Sequence, residues 1–388
     1  MKKNQPMNAY ITAIASFLPN EPISNDEMEA VLGMVNDLPS RTKKIILRNN
    51  GIRQRYYAID PATGQTTHTN AQMAALAVKK LRPYADFKVA DIELLSCGTS
   101  APDQLMPGHA SMVHGELGGN SCETVSTAGI CLAGISGLKY AAMSVALGLS
   151  NNGVATGSEQ SSSFMRSRMS GATDPQRAAR LEKQPALAFE ADFLRWMLSD
   201  GGGAVFIAPQ PAPDRLSLKI EWIEIISHAH AMPVCMYAGA TREADGGLRG
   251  WREFASPRAS VAANSLLVKQ DAKLLNAEII PVVINRSLPR YIEKYDLKAA
   301  DIDWFLPHYS SEYFRRIIYD HLRAIDFEIP EERWFSNLTD KGNTGSASIY
   351  LILEEIFNSG RLRQGERILC FIPESGRFSV GYMMLTVV

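Results

Sequence analysis

The stretch STAGICLAGISG, residues 126–137, places a single cysteine, Cys131, among residues no larger than Leu or Ile. An extended segment is predicted to become a helix here, so Cys131 would stand at a helix N-terminus. The helix dipole stabilises a thiolate there and lowers the pKa of the thiol, as a cysteine nucleophile requires. The alternative is a small buried side chain, the usual role of a free cysteine. That alternative fits Cys97, Cys235 and Cys370, which lie in strand-like runs.

Two further polar residues could complete a site around such a thiol. His308 ends the strand-like run DIDWFLPH, and strands of α/β sheets present side chains to a crevice at their carboxyl ends. Asn343 lies in KGNTGSAS, at the start of a second apolar helix. Taken singly, His308 could be a surface histidine and Asn343 an ordinary N-cap or turn residue. A thiol, an imidazole and a carboxamide together indicate one convergent site.

The elements that would position these residues alternate between strands and helices. Apolar, β-branched runs such as AYITAIASFLP and GGAVFIAP alternate with helical patterns such as NAQMAALAVKKL, which predicts an α/β fold. A short repeat indicates a duplicated unit: KVADIELLSCGTS from Lys88 and KAADIDWFLPHYS from Lys298 begin alike, 210 residues apart. The same offset from Cys131 leads to Lys341, inside a second glycine-rich turn that opens an apolar helix. So short a match also arises by chance.

A duplicated α/β unit would set two helix N-termini facing each other across a pseudo-twofold axis. Unpaired N–H groups and positive potential concentrate at such termini. Three prolines in APQPAPDRLS, residues 208–217, interrupt the pattern of elements. They predict an N-terminal half, residues 1–210, that carries the cysteine and a C-terminal half, residues 211–388, that carries the histidine and the asparagine.

Composition excludes several classes of protein. With 388 residues, 46% of them hydrophobic, the chain can bury a large core without disulfide bonds. Its 40 Lys and Arg nearly balance 41 Asp and Glu, so no global field would attract nucleic acid or an anionic membrane. Five cysteines without a CxxC pair argue against structural zinc, and no run approaches the roughly 18 apolar residues of a membrane span. These features predict a cytoplasmic protein without a metal, a nucleic-acid partner or a membrane partner.

Several segments together resemble β-ketoacyl-acyl carrier protein synthase III, a branch of the thiolase superfamily. The resemblance follows the chain in order over nearly its whole length. The segments are NNGIRQRYY at 49–57, AGICLAGISGL around Cys131, LSDGGGAVFI at 198–207, LPH at His308, KGNTGSASI around Asn343 and the C-terminal PESGRFSVGYMML.

The resemblance implies a homodimeric, thiolase-like five-layer α-β-α-β-α fold with a Cys-His-Asn site between the two halves. Cys131 would take an acyl group from a phosphopantetheine thioester, with the oxyanion held by its own N–H and by that of Gly376. His308 and Asn343 would stabilise the enolate of a malonyl-type extender, which then forms a carbon–carbon bond. No metal or redox cofactor is implied. Met106 matches the family's large apolar residue that reaches the partner subunit's acyl pocket.

The chain departs from the family's pattern around the pocket. The family's adenine-stacking tryptophan is missing before the Gly-Ile-Arg segment, and the glycine-rich turn near the C-terminus reads Glu374-Ser375-Gly376-Arg377. The missing tryptophan disfavours coenzyme A as the acyl donor and leaves an acyl carrier protein as the alternative. These departures favour specialised lipid or polyketide synthesis, with a malonyl- or 3-oxoacyl-type extender. The chain is also somewhat similar to the branch that forms cyclohexanedione or dialkylresorcinol products.

Acyl carrier proteins are acidic, so the resemblance also implies a basic patch at the entrance. The candidates are Arg315 and Arg316, shortly after the histidine, and Arg166 and Arg168, in a polar stretch rich in arginine. Charged residues on a helix are more often simply solvated, and this alternative stays open.

Two other functions remain open at this point. One is acyl transfer to an alcohol or amine, which the presence of Asn343 disfavours because only carbon–carbon bond formation needs a stabilised enolate. The other is a non-catalytic subunit that shapes a partner condensing enzyme. Such a subunit would need no nucleophile.

Overall fold

The computed structural model describes residues 8–34, 39–40, 42–167 and 193–388. Within these residues, nine strands form one central sheet, and three two-stranded sheets lie outside it. The strands are β1 Tyr10–Phe17, β2 Ile23–Ser24, β3 Gln54–Arg55, β4 Leu94–Gly98, β5 Glu123–Thr127, β6 Gly153–Glu159, β7 Gly201–Ala208, β8 Leu218–Ser227, β9 Met236–Tyr237, β10 Ala240–Arg242, β11 Leu248–Gly250, β12 Lys269–Gln270, β13 Trp304–Pro307, β14 Arg367–Glu374 and β15 Ser379–Val387.

Helices lie on both faces of the central sheet. Short 3-10 turns and one π-helical stretch, Pro281–Arg286, accompany them. The α-helices are α1 Met28–Leu32, α2 Lys43–Asn50, α3 Asn70–Lys79, α4 His109–Leu117, α5 Leu132–Ala146, α6 Ser162–Met165, α7 Pro257–Ala262, α8 Ala272–Ile280, α9 Leu288–Tyr295, α10 Tyr313–Ala324, α11 Leu338–Lys341 and α12 Ser348–Asn358.

Two segments of the central sheet repeat the same pattern of strands. The N-terminal sheet segment has the order β5-β4-β6-β7-β1, and the C-terminal sheet segment has the order β13-β14-β15-β8. In each segment, parallel strands come first and two antiparallel pairings follow. A parallel bridge between Phe305 and Trp334 lies beside β13, as β5 lies beside β4. Two residue pairs between β1 and β8 join the segments.

The internal repeat continues into the helices with a shift. The 3-10 turns Val89–Asp91 and Ala299–Asp301, which precede β4 and β13, stand 210 residues apart. The N-caps of α5 and α12, Cys131 and Ala347, stand 216 residues apart. By position at a helix start, the counterpart of Cys131 is therefore Ala347 and not Lys341, because α12 begins 44 residues after the start of β13, whereas α5 begins 38 residues after the start of β4. The division of the chain at residue 210 stays a prediction.

Helices α5 and α12 form the central layer of the fold. Ile135 of α5 and Ile349 of α12 belong to one apolar cluster with Val205 of β7 and Ile372 of β14, so this helix pair packs on both sheet segments. Helices α3 and α4 cover the other face of the N-terminal sheet segment. Helices α8, α9 and α10 cover the other face of the C-terminal sheet segment. The predicted five-layer α-β-α-β-α arrangement is confirmed.

Two glycines allow the start of α12 to approach α5 and β6 closely. The carbonyl oxygen of Ser346 lies against Gly134 of α5 and Gly157 of β6, and a Cβ atom on either glycine would collide with it. The same Cβ atoms would come within 2.8 and 2.9 Å of Cε2 of Tyr350. Tyr350 is buried, and its hydroxyl donates to the carbonyl oxygen of Gly134 at 2.9 Å. The two helices are therefore locked at one separation.

This close contact predicts that Gly134→Ala destabilises the protein. Alanine is the better helix former, by about 1 kcal/mol, but the added methyl group meets backbone that cannot move aside. We expect a loss of about 2 kcal/mol from this overpacking, measured as a lower midpoint of thermal denaturation.

The matched control is Gly115→Ala in α4, where a Cβ atom would meet nothing within 4 Å. Because no overpacking opposes it here, the gain in helix propensity should raise the midpoint of thermal denaturation slightly. A Gly134→Ala protein that melts at or above the Gly115→Ala protein would show that the contact is not tight.

Candidate active site

Cys131 stands on a sharp turn between β5 and α5. Gly129 has φ 131° and Ile130 has φ 49°, and Leu132 and Ala133 donate back to the carbonyl oxygens of these two residues at 3.0 Å. The first of these conformations favours glycine, and the second is strained for a β-branched residue. The turn ends in Cys131 as the N-cap of α5, half-buried, at the helix terminus that the sequence predicts.

The pKa of this thiol differs from the prediction. Burial, together with the negative charges of Glu374 and Glu159, raises the pKa of Cys131 well above its usual range. The predicted lowering of this pKa is wrong, because desolvation and two carboxylates outweigh the favourable potential of the helix N-terminus. The thiol is therefore protonated at neutral pH in the free protein.

His308 follows the last residue of β13, at the carboxyl end of the strand. Its backbone N–H donates to the carbonyl oxygen of Phe371 in β14 at 2.8 Å, and the residue is 4% exposed. Burial lowers the pKa of His308 to about 4. The imidazole is therefore neutral near pH 7, with one ring nitrogen as donor and the other as acceptor.

Asn343 lies between α11 and α12 and is also 4% exposed. Its backbone is held on both sides: its N–H donates to the carbonyl oxygen of Met197, and its carbonyl oxygen accepts from Ser199 at 2.8 Å. Its side-chain Oδ1 accepts from the N–H of Gly345 at 3.0 Å. Because Oδ1 accepts this hydrogen bond, the orientation of the amide is set, and its NH₂ group faces away from the Gly345 N–H. Ala347, not Asn343, is the N-cap of α12.

Two buried glutamates connect the surroundings of these three residues. Glu159 ends β6, and its Oε1 accepts from the N–H of Ser346, three residues after Asn343, at 3.4 Å. Glu374 ends β14, three residues after Phe371, the backbone partner of His308. Both carboxylates act on the pKa of the Cys131 thiol. The ends of β6 and β14 therefore lie near the thiol, and each adjoins the segment that carries Asn343 or His308.

The two glutamates are held differently. Glu159 also accepts from the N–H of Ser100 at 2.8 Å, from the Ser100 hydroxyl at 2.6 Å and from the Thr99 hydroxyl at 3.3 Å. Burial raises the pKa of Glu159 to about 7. Glu374 accepts from the N–H groups of Gly376 and, at 3.5 Å, Arg377, within its own hairpin turn, and burial raises its pKa too.

Gly376 lies beside the nucleophile turn. A Cβ atom on Gly376 would collide with Glu374 and would lie 2.5 Å from Cδ1 of Ile130, the residue before Cys131. The N–H that the resemblance assigns to the oxyanion hole donates to the Glu374 carboxylate in this structure. Gly376 can therefore hold a substrate oxygen only after that carboxylate releases it.

The sequence analysis missed both glutamates as site residues. The signal for Glu159 was an acidic residue at the end of GVATGSE, a strand that is buried throughout. The signal for Glu374 was the loss of the family's glycine-rich turn, which the sequence analysis linked only to the pocket wall. Neither pattern specifies which residue the carboxylate faces.

The predicted carrier contacts have different surroundings. Arg166 is 5% exposed and donates to the carbonyl oxygen of Gly64 at 2.7 Å, which does not fit a contact with a carrier surface. Arg315 is tied to Glu331 by a 2.8 Å ion pair. Arg316 is exposed, with an ion pair to the next turn of its own helix. Arg168 lies outside the described residues.

Met106 is 76% exposed in the single chain, and its neighbour Leu105 is 69% exposed. The helix that follows, α4, contacts β5, because the N–H of Ala110 donates to the hydroxyl of Ser126 in β5 at 2.9 Å. An exposed methionine fits a residue that reaches beyond its own subunit.

Neither a metal site nor a membrane-spanning helix is present among the described residues. Over residues 8–34, 39–40, 42–167 and 193–388, no three His, Cys, Asp or Glu side chains come together in a way that could hold a metal ion. In the same ranges, no helix is both long and apolar enough to cross a membrane.

Comparisons with known proteins agree with this fold. The family model for 3-oxoacyl-[acyl-carrier-protein] synthase III, C terminal, matches residues 292–385. β-Ketoacyl-[acyl-carrier-protein] synthase III of Methylococcus capsulatus is 22% identical over 362 residues, covering 92% of this chain and 93% of the relative. The enzyme of the same name from Bordetella petrii is 24% identical over 361 residues, covering 93% of each.

Solved structures match over almost the full length. The tetronic acid condensing enzyme AbyA1 has a TM-score of 0.71 at 19% identity, covering 97% of this chain and 99% of its own. OleA of Xanthomonas campestris, with bound lauric acid and lauroyl-CoA, has a TM-score of 0.72 at 18% identity, covering 98% and 100%. At these identities the likeness shows a shared fold. Together with the matched C-terminal model and the full-length relatives, it makes the chain similar to the β-ketoacyl-acyl carrier protein synthase III condensing enzymes of the thiolase superfamily.

Proposed function

We propose that this enzyme binds an acyl group on Cys131 and joins it by Claisen condensation to a malonyl- or 3-oxoacyl-type thioester on phosphopantetheine. The observation that supports the proposal is that two carboxylates, Glu159 and Glu374, both act on the pKa of the Cys131 thiol. Glu159 accepts from Ser346, three residues after Asn343, and Glu374 follows three residues after Phe371, the backbone partner of His308. The backbone of His308 and that of Asn343 are fixed by hydrogen bonds, which gives the preorganised geometry that catalysis by hydrogen bonding needs.

In the first half-reaction, the sulfur of Cys131 attacks the carbonyl carbon of the acyl thioester. The bond between that carbon and the carrier's sulfur then breaks, and the proton of the Cys131 thiol leaves with the carrier thiol. The N–H of Cys131 at the start of α5 would hold the oxyanion, with Gly376 as a second donor once Glu374 turns away. Acylation needs no oxidant, reductant or metal.

In the second half-reaction, an extender thioester becomes an enolate, either by loss of CO₂ from a malonyl group or by loss of a C2 proton from a 3-oxoacyl group. The neutral imidazole of His308 and the amide of Asn343 would each donate a hydrogen bond to the enolate oxygen. C2 attacks the acyl carbon, a carbon–carbon bond forms, and the bond to the Cys131 sulfur breaks. No tightly bound cofactor is required.

We propose an acyl carrier protein as the partner that delivers these thioesters, with coenzyme A as the alternative donor. The full-length relatives are named for the carrier protein, and one structural neighbour was solved with lauroyl-CoA. Of the four predicted arginine contacts, Arg316 has the most exposed side chain among those described, at 66%. It is the best candidate for contact with an acidic carrier.

We also propose that the enzyme is a homodimer formed along β5. This strand ends the central sheet, and its outer edge has no partner within the described residues. The neighbouring face of α5 exposes Tyr140, Met143 and Leu147, and the Tyr140 hydroxyl donates to Glu123 of β5. An unpaired edge beside exposed apolar side chains is typical of a subunit interface.

We propose the cytoplasm as the compartment and specialised lipid or polyketide synthesis as the pathway. All five cysteines are free, which fits a reducing cytoplasm. The turn at Glu374 and the missing tryptophan support a role in specialised lipid or polyketide synthesis, including the cyclohexanedione- or dialkylresorcinol-forming branch. A linear 3-oxoacyl product would exclude that branch.

The nucleophile is tested by acylation. Cys131→Ala should gain no acyl mass when it is incubated with a panel of acyl carrier proteins and acyl coenzyme A thioesters, measured by intact-protein mass spectrometry. Cys122→Ala, which removes another half-buried thiol, should gain the same mass as the wild type. No acyl mass on any variant would favour the non-catalytic partner subunit.

An assay of the second half-reaction distinguishes the roles of His308 and Asn343 from that of the Cys131 thiol. His308→Ala and Asn343→Ala should still become acylated but should lose condensation by about 100-fold each, because each removes one donor to the enolate. Product formation is measured by liquid chromatography and mass spectrometry, with Asn358→Ala on the surface of α12 as control. Acyl transfer to an added alcohol or amine, with Asn343→Ala as active as the wild type, would favour the acyltransferase function.

The dimer is tested by a charge at its proposed interface. Met143→Arg should shift the protein from dimer to monomer in sedimentation, because a buried cation without a partner is costly. Val261→Arg is the control, because this side chain lies in α7, outside the proposed interface, and is 54% exposed. It should sediment as a dimer, like the wild type. A wild type that sediments as a monomer would contradict the proposal.

A further inference from the structure

We propose that Glu374 is a catalytic base that removes the C2 proton of a 3-oxoacyl thioester, so that this site condenses such acceptors without decarboxylation. This inference rests on the proposed function, because it presupposes an acyl group on Cys131. It also chooses between the two classes of extender that the proposed function leaves open.

The position of Glu374 in β14 directs its side chain toward the nucleophile. Alternate residues of a strand share one face, and Cys370 and Ile372 of β14 both belong to the apolar cluster around α5 and α12. Phe371 belongs instead to the cluster on the opposite face. Glu374 continues the row of Cys370 and Ile372. That face contacts the first turn of α5, because a Cβ atom on Gly381, the partner of Ile372, would lie 3.0 Å from Cδ2 of Leu132.

The contacts of the carboxyl group place it beside Cys131. Gly376 lies between the Glu374 carboxylate and the Ile130 side chain, and the charge of Glu374 is one cause of the raised pKa of the Cys131 thiol. Glu374 is 6% exposed, and in the part of the chain that the structure describes no Lys or Arg forms an ion pair with it. The nearby Arg377 donates instead to the carbonyl oxygen of Met232 at 3.1 Å. A buried carboxylate without a cation is a stronger base than an ion-paired one.

Glu159 does not compete for this role. Its two oxygens accept from Thr99, Ser100 and Ser346, so it ties the end of β6 to the start of α12. Glu374 is held within its own hairpin, by the N–H groups of Gly376 and Arg377 in the turn and by Ser379, the first residue of β15. It can therefore change its hydrogen bonds when substrate arrives, without loosening two other elements.

The proton transfer balances without any further reactant. The Glu374 carboxylate takes the proton from C2, and the electrons of that C–H bond form the enolate, whose oxygen accepts from His308 and Asn343. C2 then bonds to the acyl carbon, and the bond from that carbon to the Cys131 sulfur breaks. The departing sulfur takes the proton back from Glu374. The thiol and the carboxylate are both regenerated, and the raised pKa of the thiol favours this last step.

The same carboxylate disfavours a malonyl extender. Loss of CO₂ leaves its bonding electrons on C2, so decarboxylation requires no base. A malonyl carboxylate beside the Glu374 carboxylate would bring two negative charges together in a site with little water, which is repulsive. A 3-oxoacyl thioester is neutral and has a C2 proton made acidic by two carbonyl groups. The charge at this turn therefore selects the neutral acceptor.

The test is Glu374→Gln with an octanoyl donor and a 3-oxooctanoyl acceptor, both as N-acetylcysteamine thioesters. The amide oxygen of glutamine can still accept from Gly376, so the turn is preserved while the base is lost. We expect acylation of Cys131 to be equal or faster, since a negative charge beside the thiol is gone, and condensation to fall by about 100-fold. A direct readout is deuterium exchange at C2 of 3-oxooctanoyl-N-acetylcysteamine in D₂O. Cys131→Ala should catalyse it above the uncatalysed rate, and the double variant with Glu374→Gln should not.

Ser375→Ala, in the same turn, is the control and should condense and exchange like the wild type. If Glu374→Gln melts early, Glu374→Asp keeps the carboxylate and should retain more condensation and exchange than Glu374→Gln at a temperature where both are folded. Glu374→Gln with condensation and exchange within about threefold of the wild type would overturn this role. A wild type without acyl on Cys131 would instead overturn the proposed function.

Discussion

The close contact of Ser346 with Gly134 and Gly157 is the constraint on which the site depends. It brings the start of α12 against α5 and β6 with no side chain between them, and Tyr350 closes the contact by donating to Gly134. Backbone packed this tightly transmits small displacements instead of absorbing them. The thiol before α5 and the amide before α12 therefore share one rigid frame.

That frame also determines how dry the site is. His308 and Asn343 are both almost fully buried, and hydrogen bonds to neighbouring elements hold the backbone of each. Donors held in a site of low polarity stabilise developing charge more strongly than the same donors in water, and they need not reorganise during the reaction. Burial also keeps the imidazole neutral, so it donates one hydrogen bond without carrying a charge.

Buried acids give this site its particular chemistry. The thiol is not activated by its surroundings in the free protein, since Glu374 and Glu159 oppose the thiolate. The arrangement suits a reaction in which the proton that is hard to remove lies on C2 of the acceptor thioester and not on the thiol of the nucleophile. Relatives with the same fold are named for different condensations, among them tetronic acid formation. Changes in a turn such as Glu374–Arg377 can adapt the active site to one acceptor thioester while the core of the fold stays unchanged.

Local patterns in the sequence were enough to predict where the turns, helix starts and strand ends of this protein lie. Small residues around Cys131 specify a turn into a helix, the proline before His308 marks a strand end, and the order of motifs predicts the layered fold, which is confirmed. Three features could be read only from the folded chain: the raised pKa of the Cys131 thiol, the burial of Arg166 and the hydrogen bond from the Gly376 N–H to Glu374. Local patterns encode turns, caps and periodicity. Burial and charge depend on which residues the fold brings together, as with Cys131 and Glu374, 243 positions apart, and no local pattern specifies which side chains will face one another.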